Sequence, residues 1–184
     1  MMQLGYFLLF TMLVGTLGQL YFLLVVVRRL AQQTKKIPKK KAQSGRAKVT
    51  VSVVVCARNE YLNLQKLLPG LLAQEFDQFE VIVVDDRSTD ASAEWLYRQS
   101  ALNNQLRVVR VHKTPTGWNA KKHALVQGIK QAKHEVILLT DADCEVQSPY
   151  WIQQMVEPFQ SATIAIVLGF SPYFRIKGFL NRFI

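Results

Sequence analysis

The chain begins with an uncharged apolar run from Leu4 to Val27, 24 residues long, and about 20 such residues let a helix cross the hydrocarbon core of a bilayer. From Thr50 onward the apolar residues come in shorter groups. Thr50–Val55 (TVSVVV), Phe79–Val84 (FEVIVV), Leu106–Val111 (LRVVRV) and Glu135–Thr140 (EVILLT) are rich in β-branched residues and nearly continuous, and a fifth run, TIAIVL, spans Thr163–Leu168. Such short continuous runs predict strands buried on both faces, as a parallel sheet requires.

Between these runs the apolar residues take helical spacing. Asn59 is predicted to cap a helix carrying Leu64, Leu67, Leu68, Leu71 and Leu72, with Pro69 expected to kink or end its regular part. Asp90 is predicted to cap a helix through Trp95 and Leu96, and Asn119 one whose apolar face is Ala124, Leu125, Gly128, Ile129 and Ala132. Ser148 followed by Pro149 predicts a helix start before Trp151, Ile152 and Met155. Strand and helix alternate, so the predicted class is α/β with a mostly parallel sheet flanked by helices. In such sheets ligands bind in the crevice beyond the carboxyl ends of the strands.

Charge refines the organisation. The net charge is +10, yet nine of the 23 Lys and Arg residues lie between Arg28 and Lys48, where there is no acid, and the first acid of the chain is Glu60. The remainder carries 14 bases against 13 acids, so the basic excess is local and does not indicate a nucleic-acid-binding domain. Bases that follow a long apolar run fit a transmembrane helix over residues 1–29 rather than a cleaved signal peptide. The positive-inside rule then puts Arg28 onward in the cytoplasm. Gln19 within the span is either a tolerated lone amide or a partner for a neighbouring helix. Residues 30–48, interrupted by Pro38 and Gly45, read as a basic linker, either a solvated flank or a contact for anionic headgroups. Two cysteines, Cys56 and Cys144, do not make a disulfide framework or a paired metal-ligand motif.

The predicted strand ends hold most of the candidate chemistry. The first ends in Cys56-Ala57-Arg58-Asn59-Glu60, the second in Asp85-Asp86-Arg87-Ser88-Thr89-Asp90 and the fourth in Asp141-Ala142-Asp143. Each cluster alone also suits a turn; three on one sheet edge point to a site. Asp141 and Asp143 are spaced to leave a strand end in the same direction, two hard oxygen ligands suited to Mg2+ or Mn2+ shared with substrate phosphates. Lys121, at a predicted helix start, suits a phosphate, because the helix N-terminus adds to its charge. No Gly-x-Gly-x-x-Gly follows a strand, and no Gly-x-x-x-x-Gly-Lys, HExxH or Gly-x-Ser-x-Gly occurs. His112, His123, His134 and both cysteines are therefore assigned structural or surface roles.

Five strings, VSVVVCARNE, NLQKLLPGLLAQ, FEVIVVDDRSTDAS, GWNAKKHALVQGI and EVILLTDADCEV, resemble in order and spacing the family 2 glycosyltransferases of GT-A fold. The resemblance implies a cytosol-facing, inverting, metal-dependent enzyme that takes a nucleotide-diphosphate sugar, often a UDP-sugar, and transfers the sugar to a glycan or lipid acceptor. It makes residues 49–184 the nucleotide-sugar-binding part of such a domain. It also implies that Asp86 contacts the base, with Asp85 beside it, and that Asp143 is the direct metal ligand, with Asp141 nearer the ribose or diphosphate. Lys121 takes the family's Gly-Lys position with Ala120 in place of the glycine, and Ala57, Arg58, Asn59 and Glu60 line the nucleotide pocket. The preceding apolar helix is similar to that of membrane-bound polysaccharide-synthesising members.

One departure is large. The family's general base, an Asp well after Asp-x-Asp, has no counterpart, since no Asp or Glu follows Glu157 and no Gln-x-x-Arg-Trp occurs. The sequence therefore offers no catalytic base. The expectation is a domain incomplete at its carboxyl end, with Ser171–Ile184 the entrance to a further amphipathic element. A membrane-anchored nucleotide-binding module without catalysis, or an inactive remnant, is the alternative.

Overall fold

The computed structural model describes residues 2–34, 49–161, 163–169 and 171. Most of the basic linker and nearly all of Ser171–Ile184 lie outside the described residues. The chain divides into two units, Met1–Lys41 and Ala42–Ile184.

The first unit is helix α1, Met2–Thr34, whose stretch Gly5–Arg29 is long and apolar enough to cross a membrane. Its hydroxyls are satisfied within the helix, with Thr11 Oγ1 donating to the Leu8 carbonyl at 2.9 Å and Thr16 Oγ1 to that of Met12 at 2.8 Å. Self-satisfied hydroxyls are what a polar group needs where water is absent.

The second unit runs β1 (Val51–Ala57), α2 (Tyr61–Leu72), β2 (Phe79–Asp86), α3 (Ser92–Leu102), β3 (Leu106–Val111), α4 (Ala120–Gln131), β4 (Val136–Asp141) and α5 (Trp151–Val156), then a 3-10 turn, Glu157–Gln160. All strand pairs are parallel, in the order β3-β2-β1-β4. The chain steps outward from β1 to β3 and then returns across β1 to place β4 on its other side. Successive strand residues face opposite sides. Val51, Val53 and Val55 therefore pack with Leu64, Leu67, Leu68, Leu71 and Leu96 of α2 and α3. Val54, with Ile82 and Val84, meets Ala124 of α4 on the other face. Burying each such Val or Leu contributes about 1.5–3 kcal/mol.

At the amino ends of the strands, Glu80 ties the sheet to the turn before β4. Its Oε1 accepts from Ser52 Oγ at 2.8 Å and from the Lys133 N–H at 2.7 Å, while Ser52 Oγ also accepts from the His134 N–H at 3.2 Å. Arg107 lies 3.9 Å from Oε2. A buried carboxylate is tolerable because these donors replace its water.

Several sequence expectations are corrected. Pro69 does not end α2, which runs on to Leu72. The proline is on the exposed side, and the buried Leu67, Leu68 and Leu71 on either side of it hold the helix down. Asn59 does not cap α2. Glu60 takes that place without a side-chain bond, and Asn59 adopts a left-handed backbone with φ 57°. Asp90 instead serves two helices: Oδ1 accepts from the Ser92 N–H at 3.0 Å and Oδ2 from the Tyr61 N–H at 3.2 Å. Burial pushes its pKa up, but these hydrogen bonds outweigh that and hold it below the ordinary value. The cap of α4 is as expected, with Asn119 Oδ1 accepting from the Lys122 N–H at 3.1 Å, although Ile129 is exposed rather than on the packed face. After Ser148–Pro149 the helix starts two residues on, at Trp151.

The run TIAIVL forms no strand in residues 163–169, and Ile166 and Leu168 are exposed. No described strand pairs with it, so its backbone groups have no ladder to join, and β-propensity alone does not make a strand.

Helix α4 sits close to the sheet because Gly128 has no side chain. A Cβ there would lie 2.6 Å from Val54 Cγ1 and 2.7 Å from Val84 Cγ2. Gly128→Ala is predicted to destabilise the second unit by about 1–3 kcal/mol through overpacking, outweighing the helix-propensity gain of about 1 kcal/mol. Chemical denaturation followed by circular dichroism measures the difference.

Candidate active site

Because β4 returns to the side of β1 opposite β2, the carboxyl ends of β1, β2 and β4 meet the first turn of α4 around one cleft of about 360 Å3. From β1 and its loop come Cys56, Ala57, Arg58 and Glu60; from β2, Asp86. Helix α4 gives Ala120, Lys121 and Ala124, and the end of β4 gives Asp141, Ala142 and Asp143. Four carboxylates thus face two bases. An anionic ligand alone is repelled by that balance, whereas an anion accompanied by a divalent cation is not.

Lys121 Nζ donates to Asp141 Oδ1 at 2.8 Å, and that hydrogen bond holds the ammonium pKa above its ordinary value. Both side chains are well exposed, so the pair contributes at most about 1 kcal/mol and exchanges readily for a ligand. Asp141 and Asp143 flank Ala142 in the turn that the Cys144 N–H closes on the Asp141 carbonyl at 3.3 Å. Among the described residues no cluster of three or more His, Cys, Asp or Glu side chains suits a metal ion. Two carboxylates at a cleft fit a hard cation that takes its remaining ligands from water and substrate phosphates, the usual manner of Mg2+, and do not fit a closed protein cage.

Asp86 has an immediate partner. Arg87 Nε donates to Asp86 Oδ1 at 2.8 Å and Arg87 Nη2 to Oδ2 at 3.3 Å. Two of the expected nucleotide-site residues, Asp85 and Asn59, do not line the cleft. Asp85 is 1% exposed, its Oδ1 accepts from the Ser88 N–H at 3.1 Å and its Oδ2 lies 3.7 Å from Arg110 Nε. Asn59 Oδ1 accepts from the Thr89 N–H at 2.8 Å, and the Asn59 N–H donates to Ser88 Oγ at 2.9 Å. Asn59 thus fastens the loop after β1 to the loop after β2, and Asp85 holds the latter loop to its own strand.

Cys56, assigned a structural or surface role from sequence, lines the cleft in register with Asp141. Burial pushes its thiol up to about 11; Lys121 opposes that shift, and Asp141 and Asp86 add to it. Its place inside the β1 run, two residues before Arg58, was the available sign. The small residues Ala124 and Ala142, which with Ala120 leave the cleft its room, carried no such sign.

Known proteins agree with this architecture. The profile of glycosyl transferase family 2 matches residues 52–183. The chain is 26% identical over 133 residues to a 4,4'-diaponeurosporenoate glycosyltransferase of Staphylococcus haemolyticus, covering 72% of this chain and 34% of that protein. It is 30% identical over 112 residues to a poly-beta-1,6-N-acetyl-D-glucosamine synthase of Staphylococcus aureus, covering 60% of this chain and 25% of the other. Mannosyltransferase PcManGT from Pyrobaculum calidifontis, solved with GDP-Man and Mn2+, aligns at 26% identity and a TM-score of 0.52, over 72% of this chain and 38% of that one. The chain thus spans about a quarter to a third of the length of these curated relatives. With a parallel sheet, a cleft at its switch point and a profile match from residue 52 to 183, the chain belongs to glycosyl transferase family 2 and has the GT-A fold.

Proposed function

We propose that the cleft binds the donor of a membrane-anchored glycosyltransferase, a nucleotide-diphosphate sugar and in particular a UDP-sugar, together with Mg2+ or Mn2+, for inverting transfer to a glycan or lipid acceptor. The observation that carries this reading is the convergence of Asp86, Lys121, Asp141 and Asp143 on one cleft at the carboxyl edge of the sheet. The complex of PcManGT with GDP-Man and Mn2+ supports the pairing of a nucleotide sugar with a divalent cation.

In this reading Asp86 accepts a hydrogen bond from the base, and Arg58 and Glu60 border the nucleotide. Lys121 leaves Asp141 to meet the diphosphate, aided by the free N–H groups at the start of α4. Asp143, with Asp141, would hold the cation, whose chemistry is to offset charge on the departing diphosphate. The proton of the acceptor hydroxyl needs a carboxylate at hydrogen-bond distance, and none of the cleft carboxylates is given that role. Helix α1 is the anchor in this reading, and the bases from Arg28 onward support a cleft on the cytoplasmic side.

Two outcomes are expected in titrations of the detergent-solubilised chain. Asp143→Asn weakens Mn2+-dependent UDP binding by about tenfold or more, the loss of one charged ligand, and unchanged binding sinks the metal assignment. Lys121→Met weakens UDP binding yet tightens binding of Mn2+ alone, because Asp141 is freed of its cation; looser Mn2+ binding contradicts the role given to Lys121. Binding of donor without transfer to any acceptor would leave the binding-module reading.

Cys56 supplies a footprint. In a Cys144→Ser background, its alkylation by iodoacetamide is expected to be slow at neutral pH and to rise as pH climbs toward about 11, because the raised pKa keeps the thiol protonated below that value. UDP with Mn2+ is expected to protect it, and equal rates with and without them place the donor elsewhere.

A further inference from the structure

Among the described residues, Asn59 and Arg87 are the non-glycine residues with positive φ, at 57° and 60°. They stand in the loops after β1 and β2, both next to the cleft. Asn is among the few residues that visit the left-handed region, and at Asn59 the side chain is held across to the next loop by the Thr89 N–H. Arginine is not one of those residues, and its Cβ meets the full steric penalty there.

The left-handed turn has a geometric result. Neighbours on a strand face opposite sides, yet Asp86 and Arg87 meet through two hydrogen bonds, at 2.8 and 3.3 Å. The conformation at residue 87 ends the alternation and brings the guanidinium back onto the preceding carboxylate. The loop that holds it is fixed on both sides, by Ser88 to Asp85 and Asn59 and by Thr89 to Asn59, so the strain is maintained by its surroundings. The Asp86 side chain is 8% exposed, and that remaining surface borders the cleft.

Resting on the donor reading of this cleft, we propose that Arg87 is a positioning residue for base recognition: it locks the Asp86 carboxylate in one orientation, so that its free lone pairs accept the imide N–H of uracil. A planar fork fixes both oxygens of a carboxylate, which a lysine ammonium does not. Cytosine carries an acceptor where uracil has that N–H, so a carboxylate fixed in this orientation favours UDP over CDP, and one free to turn toward the cytosine amino group loses the distinction.

The test is calorimetric titration of the detergent-solubilised full chain with UDP and with CDP, each with Mn2+. The unaltered chain is expected to prefer UDP by about tenfold or more. In Arg87→Gly, which suits the left-handed backbone, UDP affinity is expected to fall and the UDP-to-CDP ratio to drop toward one. Arg87→Lys keeps the charge without the fork and is expected to lose the ratio as well; it also serves if the glycine variant fails to fold. If the unaltered chain prefers UDP and the folded variants keep that preference, or lose affinity for UDP and CDP by the same factor, the positioning role is overturned while the donor reading stands. If the unaltered chain binds neither nucleotide, or both equally, the role given to Asp86 fails and that of Arg87 with it.

Discussion

The central position of β1 is the constraint on which the rest of the second unit depends. It is hydrogen-bonded to β2 on one side and β4 on the other, in registers that set Ala57 opposite Asp85 and Cys56 opposite Asp141. The register fixes which residues end the three strands at the same level, and a slip of one residue would turn every side chain to the other face. The valines of β1 keep that register by packing on helices above and below. At the amino ends, Ser52 and Glu80 reinforce it with a charge-assisted bond that also holds the turn into β4.

A rigid sheet therefore presents a polar edge whose groups are held to different degrees. Asp85, Asn59, Ser88, Thr89 and Asp90 are hydrogen-bonded to one another and to the starts of α2 and α3. They are the frame. Lys121 and Asp141 share one exposed ion pair across the cleft, which costs little to open, so ligand-responsive groups stand on a fixed support. Asp86 lies between these groups, buried with the frame and facing the cleft, with Arg87 in a strained turn beside it.

Much of this was legible along the chain. Four β-branched runs became β1 to β4 with ends shifted by at most two residues; the central β1 and β2 are buried on both faces as expected, whereas the edge strands β3 and β4 are only partly buried, because each has a strand neighbour on one side alone. The clusters that close these runs were legible too, since Asp, Asn and Arg in series after a buried strand have to find water or hydrogen-bond partners. TIAIVL misled because it has strand composition but no described neighbour to pair with, and Pro69 because leucine packing outweighs one missing helix bond. The split of roles within a cluster was hidden: Asp85 and Asp86 are adjacent and identical, and the turn at Arg87 and the Ser88 N–H decide which one is buried in the frame.

What the sequence determined by itself was the apolar helix, the alternation of strand and helix, the local basic excess and the set of polar residues at strand ends, all consequences of short-range pattern and solubility. What only the tertiary structure decided was the crossing of β4 to the far side of β1, the entry of Cys56 into the cleft, the Lys121–Asp141 pair and the left-handed turn that brings Arg87 onto Asp86. Contacts between residues tens of positions apart, such as Lys121 with Asp141 and Asn59 with Thr89, depend on strand order, and local backbone handedness depends on what surrounds the turn. Neither is encoded in the spacing of apolar residues.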